Sequence, residues 1–584
     1  MRQRWQFLLL VILLGCTLHA GATGFLRAEG SRIVDADNQP VILRGMGLGG
    51  WMLQEGYMLE LGNLGPQHKI RAAFSELIGP EKTAEFYQAW LQNFITKADI
   101  DAMASWGYNS VRLPLHYNLF TLPVEQEPVP GQHTWLDTGF EMTDQLLQWA
   151  KANRIYLILD LHAAPGGQGN DLAISDRDPS QPSLWQSDAN RQKTIALWQK
   201  LAGRYADEPW IGGYDILNEP NWGFSTADDR HGCQEQQNQP LRQLMVDITR
   251  AIRQADKNHI IFLSGNCWGN NYNGIMPPWD DNLVLSFHKY WNENTTESIA
   301  GMLTLRDKYQ IPLWLGESGE NSNQWFSEAI ALAESHGIGW AFWPLKKIRL
   351  NNPLQIQPNS GYLQLVQYLH GRAEKPGAEQ VYQALMTLAR HDVRFEQNLQ
   401  HPDVVDAMLQ QPHRNSRQPF KPHHITASGG DIKAVDYDLG GQLRGYYSEL
   451  AANYSGSPAT ADNRWNQGMV YRNDGVDISR STQLDDYYVS RLAAGEWLHY
   501  SFSAGQAGNY RISAEVMLTQ PGAEVLLTLN QQPLTPAILQ ATRQSGWQQL
   551  VLAEANLQAG NNSLRLQSQG QPLQLYRLII TPLP

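Results

Sequence analysis

Basic runs, long apolar spans, nucleotide-binding glycines and repeats are all missing from this chain. Its 584 residues carry 45 Lys and Arg against 57 Asp and Glu, a formal net charge of −12. With no basic patch or run, a nucleic-acid footprint is excluded. No G-x-G-x-x-G follows the first strand-like run, which argues against a dinucleotide fold. No segment after the first few residues is apolar for long enough to span a bilayer. Charged residues are only 17%, whereas 20 Trp and 23 Tyr are present. Aromatics in that number fit large cores, and they fit surfaces for stacking sugar rings. Composition leaves both readings open. The length itself calls for two or more domains.

At the N-terminus Arg2 and Arg4 precede an apolar run from Phe7 to Leu14, and small residues follow. This is the layout of an export signal, here expected over residues 1–22. Two processing sites compete. Ala20-Gly21-Ala22 suits ordinary signal peptidase and free secretion. Leu13-Leu14-Gly15-Cys16 resembles a bacterial lipoprotein box, which would place a lipid anchor on Cys16.

Between residues 41 and about 345, short apolar runs alternate with helical stretches. Candidate strands are 41–47, 109–114, 155–162, 212–219, 259–264, 283–290, 312–317 and 338–343. They are nearly continuous in Val, Ile, Leu and aromatics rather than alternating, as parallel strands covered on both faces require. Helical periodicity lies between several of them, at Asp137–Asn153, Gln239–Asp256 and Ser298–Tyr309. Eight such runs predict a (β/α)8 TIM barrel, α/β in class, over residues 25–395. An open doubly wound sheet is the alternative. Residues 396–424, rich in Gln, His, Pro, Asn and Arg, read as a linker with a short helix near Val404–Gln410. From 425 to 584, short alternating runs such as 497–502, 510–516 and 525–529 predict a jelly-roll-like β-sandwich.

In such a barrel the functional residues sit at the C-terminal strand ends. Those ends are Arg112, His162, Asn218 with Glu219, His288 with Tyr290, Glu317 and Trp343. A polar group at one strand end is usually a satisfied buried group; a set of them in barrel order points to chemistry. Two carboxylates about 5–5.5 Å apart can cleave a glycosidic bond with retention. Glu317 is then the ionised nucleophile, its pKa expected to be lowered by Arg112 and by a Tyr290 hydroxyl. Glu219 is the protonated acid and later the base. Asn218 suits the sugar 2-OH and Trp343 the floor beneath the ring. Trp51, Trp222, Trp268 and Trp291 are candidate subsite platforms or loop packing. A metal-dependent hydrolase would combine Asp160, His162, His288 and Glu317, but it usually wants H-x-H in the first strand, where Arg44-Gly45-Met46 stands. No metal or cofactor is expected. Cys233 and Cys267 form the remaining cysteine pair; in an exported protein a disulfide between two loops of one barrel face is expected. Two separate thiols are the alternative.

The strings VRLP (111–114), LDLH (159–162), LNEP (217–220), FHKY (287–290), LGESG (315–319) and AFWPLK (341–346) resemble glycoside hydrolase family 5. The resemblance implies Glu219 as acid/base and Glu317 as nucleophile, with Arg112, His162, Asn218, His288, Tyr290 and Trp343 as the other site positions. The strings at 43–51 and 160–168 look like the branch of exo-β-1,3-glucanases and some β-1,4-glucanases, with Met46-Gly47 where that branch usually has Val-Asn. The implied partner is a β-glucan poly- or oligosaccharide, with mannan- and xylan-active members as alternatives. Residues 465–478, 495–500 and 508–510 resemble carbohydrate-binding modules of families 6 and 35. Trp465, Tyr471, Tyr488 and Trp547 are the candidate sugar contacts there, and Val435 stands where those modules carry a calcium ligand. A non-catalytic sugar-binding protein is the alternative from another class. A monomer is expected.

Overall fold

The structure is a computed structural model that describes residues 24–225, 228–450, 452, 466, 468–518, 520–539 and 546–584. The expected export signal, Cys16 and Trp465 lie outside the described residues. Eight parallel strands close a barrel in chain order. They are β1 Arg44–Gly47, β2 Ser110–His116, β3 Tyr156–Ala163, β4 Ile211–Asp215, β5 Ile261–Ser264, β6 Leu283–Lys289, β7 Leu313–Gly319 and β8 Gly339–Trp343, with β8 beside β1. Every residue of β2 to β8 is buried. That explains the continuous apolar runs: one face fills the barrel and the other meets helices. Register brings the functional ends level, with Gly47 opposite Arg112, His288 opposite Glu317, and Trp343 opposite Gly319.

The surrounding helices follow from local signals. Lys97–Trp106 opens on a capping box between Thr96 and Asp99, which satisfies two otherwise orphaned N–H groups. Gln239–Ala255 buries Leu241, Leu244, Met245, Ile248 and Ile252, a single stripe at three- and four-residue steps. Asp137–Ala152 and Ala300–Tyr309 also lie where periodicity places them. Between β5 and β6 the pattern breaks. The connection holds only the turn Asn266–Gly269, in which Cys267 and Trp268 take left-handed φ values of 54° and 52°.

The short helix expected near Val404–Gln410 is present. Within residues 396–424, Pro402–Leu409 is helical, and Val404, Ala407 and Met408 are buried in the barrel's own core. A sequence poor in apolar residues on average still supplies three at positions that share one helix face. Beyond it, two antiparallel sheets pack around a separate core. One runs through Trp497–Ala504, Gly560–Gly570 and Ala523–Leu529; the other runs through Asp486–Leu492, Leu573–Pro582, Gly508–Leu518 and Gln548–Leu557. Val435 is fully buried in that sandwich core. No helix among the described residues is long and apolar enough to cross a membrane.

Candidate active site

All eight strand-end residues singled out from the sequence converge on the C-terminal rim of the barrel. Arg112 on β2 is the hub. Its guanidinium donates to Glu317 Oε2 at 2.7 Å, to Asp215 Oδ2 at 2.9 and 3.0 Å, and to Asn218 Oδ1 at 2.6 Å; Asp160 Oδ2 lies 3.2 Å away. His162 stands beside Asp160, Nδ1 to Oδ2 at 2.7 Å, and its Nε2 is 3.1 Å from Asn218 Nδ2. Burial pushes the His162 pKa down to about 3, so the ring is neutral. Its hydrogen then sits on Nδ1 toward the carboxylate, and Nε2 accepts from Asn218. Among the described residues His162 is the partner of the Asn218 amide nitrogen.

Glu219 follows β4 with a φ of 40°. A non-glycine residue in the left-handed region just before a proline is held there at a cost of about 1–3 kcal/mol. His288 Nδ1 meets Glu219 Oε1 at 2.6 Å, and Tyr290 donates its hydroxyl to Glu317 Oε1 at 2.9 Å. One oxygen each of Glu219 and Glu317 and one nitrogen of His288 lie within 4.8 Å of one another. Burial pushes the Glu219 pKa up to about 8, with Arg112 opposing and Asp171 and Asp160 assisting. It pushes the neutral-ring His288 pKa down to about 4.

Glu317 departs from the sequence expectation. Its pKa is raised, not lowered: burial is the largest cause, the Glu219 charge adds to it, and His288 and Arg112 only oppose it. The Arg112 cation is shared among Glu317, Asp215 and Asp160, whose own pKa values rise to about 6 and about 7 through burial. One guanidinium therefore cannot neutralise the cluster. The contrast survives in a weaker form, because Glu317 has a cation and a phenol as direct donors and Glu219 has neither.

A cavity of about 1300 Å³ opens over these groups. Trp343 lines it, with His162 parallel to its ring at 5.0 Å and its indole N–H donating to the Tyr57 hydroxyl at 2.9 Å. A Cβ on Gly47 or Gly49 would lie 2.7 or 2.4 Å from the indole. The departure at Met46-Gly47 is thus matched to the tryptophan it faces. Trp268 and Trp291 also line the cavity. Trp51 does not: it is buried and donates to the Leu91 carbonyl. Trp222 lies under the Arg177 guanidinium at 4.9 Å. Cys233 and Cys267 are joined, tying the loop after β4 to the loop after β5. His231 stacks on Trp268 at 4.6 Å beside that bridge.

Sequence reasoning missed Glu55, Tyr57, Asp171 and Glu320, all of which face the cavity. Each lies close behind a string singled out from the sequence: Glu55 and Tyr57 after Gly49-Gly50-Trp51, Asp171 after residues 160–168 and Glu320 directly after 315–319. Burial, then the charges of Glu317, Glu320, Glu219 and Asp171, raises the Glu55 pKa well above its ordinary value. Glu219, His288 and Glu317 are close enough to share an ion. Against that use, Glu317 already receives a guanidinium, and an ion would have to compete with the Arg112 charge.

In the sandwich, Trp547 lies 5.2 Å from Tyr488 and 5.8 Å from Tyr576. Tyr471 is occupied otherwise: Lys421 sits 5.0 Å above its ring and Asp436 accepts its hydroxyl.

Residues 73–347 match the family described as cellulase, glycosyl hydrolase family 5. The chain is 27% identical over 427 residues to a protein named β-xylosidase from Phanerodontia chrysosporium, a match covering 65% of this chain and 85% of that one. It is 24% identical over 329 residues to endoglucanase C of Acetivibrio thermocellus, covering 45% and 87%. It is 31% identical over 258 residues to a probable glucan 1,3-β-glucosidase A of Aspergillus niger, covering 44% and 56%.

Proposed function

We propose that this glycoside hydrolase cleaves β-glucosidic bonds of a β-glucan with retention, through a covalent intermediate on Glu317. The observation that carries the reading is the approach of the Glu219 and Glu317 oxygens to within 4.8 Å of one another. Inverting enzymes need about 6.5–9.5 Å between carboxyls to admit a water, and retaining ones about 5–5.5 Å.

In the first step a Glu317 oxygen attacks the anomeric carbon. The bond to the leaving oxygen breaks, and that oxygen takes the Glu219 proton, which its pKa of about 8 keeps in place at neutral pH. The Asn218 side chain meets the 2-OH, where contacts tighten in the transition state. The proton transfer leaves Glu219 a carboxylate, while Glu317 is now an ester. Glu219 then takes a proton from water, which displaces Glu317 and restores both groups. Product stereochemistry followed by NMR tests this: the β-anomer should appear first, and initial release of the α-anomer would sink the assignment.

Two of the three relatives carry glucan names, which supports a glucan. The relative named β-xylosidase matches the largest share of the chain, so a β-xyloside is the second reading. Product analysis on laminarin, cellulose, mixed-linkage glucan, xylan and mannan separates them. The half-exposed rings of Tyr488, Trp547 and Tyr576 support a glycan-binding role for the sandwich. Retardation in affinity gels loaded with soluble glucans, lost in W547A, is the expected result. We also read the chain as exported and monomeric, anchored by lipid only if Cys16 is acylated; radiolabelled palmitate incorporation that disappears in C16S would show the anchor.

A further inference from the structure

The segment that follows Glu317 is held from outside the barrel. Asn473, in the sandwich domain, donates its side-chain amide to the Asn321 carbonyl at 2.9 Å and to Asn323 Oδ1 at 3.1 Å. Its own carbonyl accepts the Asn323 N–H at 2.8 Å. Asp403, on the helix Pro402–Leu409, accepts from Asn323 Nδ2 and from the Asn473 N–H, both at 2.8 Å. Ser322 accepts the Trp325 N–H as cap of the helix Asn323–Ser335 and donates its hydroxyl to the Ala452 carbonyl. Asn321, Ser322 and Asn473 are completely buried.

Two of these bonds hold the main chain of the turn leaving β7, at the Asn321 carbonyl and the Asn323 N–H, and the others hold its Ser322 and Asn323 side chains, four to six residues beyond the carboxylate that accepts from Arg112 and Tyr290. The turn is constrained in between: Glu320 has a φ of 52° and is bridged by Lys347 at 2.7 Å. On the other flank, Ala452 packs against Trp291, the neighbour of Tyr290. A tethered module would not need to bond the backbone of a catalytic loop. An interface between independent domains is ordinarily polar, modest and mobile, whereas these groups are sealed from water and bond one another across the junction, with only one oxygen each of Asp403 and Asn473 left over.

We infer that the sandwich is a built-in support of the catalytic centre and that Asn473 is a positioning residue for Glu317. The inference rests on the reading of Glu317 as nucleophile. Reacting groups displaced by about an ångström can cost about 10²-fold in rate, so loss of a clamp on this turn should appear in turnover before it appears in binding.

The test is Asn473→Ala in the full chain. It removes both side-chain donors and keeps the backbone bonds that dock the domain. On an aryl β-glucoside, kcat should fall about tenfold or more while KM stays within about threefold. The acid limb of the pH profile should also move, because displacing Glu317 changes its burial and its distances to Glu219 and Arg112. A folded variant with the wild-type kcat and acid limb overturns the inference, and so does a lowered kcat with an unmoved limb. Should Asn473→Ala not fold, Ser322→Ala is read by the same two measures, and wild-type behaviour there is equally fatal. The functional reading fails separately: an unaltered chain inert on all β-glycosides, or labelled away from Glu317 by a 2-fluoro glycoside, sinks that reading. An active, Glu317-labelled chain with a wild-type-like Asn473→Ala sinks only the positioning role.

Discussion

Glu219 combines a left-handed backbone, a buried carboxyl and a partner imidazole that stays neutral. Its pKa of about 8 sets the alkaline limit of activity. Below that value the acid holds its proton; above it the leaving oxygen has no donor, so kcat/KM on a substrate with a poor leaving group should fall as pH passes about 8. An aryl glycoside with an acidic phenol needs no proton and should escape that fall. Stability also falls with rising pH, but over a lower window. The folded pKa lies above the ordinary carboxyl value of 4.5, so the folded state binds the extra proton, and stability is lost as pH rises from 4.5 toward 8. Glu219→Gln should therefore gain thermal stability over the wild type as pH rises through this range, while losing about 10²–10⁴-fold in turnover. Melting curves at pH 4.5 and 8 check the first, and equal differences at the two pH values would contradict it. Glu317→Ala should be inactive and recover turnover with added azide, a small anion that fills the vacated place. The two glycines against Trp343 belong to the same scale. Gly49→Ala sets a Cβ 2.4 Å from the indole, so it should displace Trp343 and cut kcat/KM with little change in solubility.

Strands and their ends were legible from the sequence for a physical reason. A parallel strand covered on both faces must be largely apolar, so a polar residue at its end stands out, as Glu317 does after Leu313 to Gly316. Loops give no such contrast. Glu55 and Tyr57 reach the cavity from the segment after β1, and nothing periodic announces a buried acid there. Asp160 and Asp215 were visible as acids inside apolar runs, yet their role as co-owners of the Arg112 charge needed coordinates. That sharing is why the expected fall in the Glu317 pKa became a rise. The β5–β6 connection shows the other limit: with only a turn in place of a helix, periodicity had nothing to report. There the disulfide takes over, pinning Trp268 and its partner His231 at the cavity edge. It closes a span of 34 residues, worth about 2–4 kcal/mol. Replacing both cysteines by serine should lower the unfolding temperature and raise KM for longer oligosaccharides more than for a small aryl glycoside. Equal KM changes for both substrates would show that Trp268 has no part in binding the distal sugars.

Two cores in one chain ordinarily unfold as two units. Here the junction buries charge as well as amides. Arg472 is buried with its guanidinium 4.0 Å from the Tyr437 ring, 3.6 Å from Asp474 and 3.8 Å from Asp403. Asp403 belongs to the helix that packs on the barrel, so the cation of one domain faces an anion of the other. Separating the domains would leave Arg472 and Asp474 on one side and Asp403 with Asn323 on the other. Each would exchange an interior shared with opposite charge for water or for an unpaired burial. Removing one member of such a cluster typically costs about 3–5 kcal/mol, because the remaining charge stays desolvated. That coupling should make barrel and sandwich melt together. Calorimetry of the intact chain should show one transition, and Asp403→Ala should split it in two, the sandwich melting first because its core is the smaller. Two resolved transitions in the unaltered protein would mean that the junction couples the domains too weakly to matter. A single transition that persists in Asp403→Ala would shift the coupling to the Asn473 amide and the Ser322 contact.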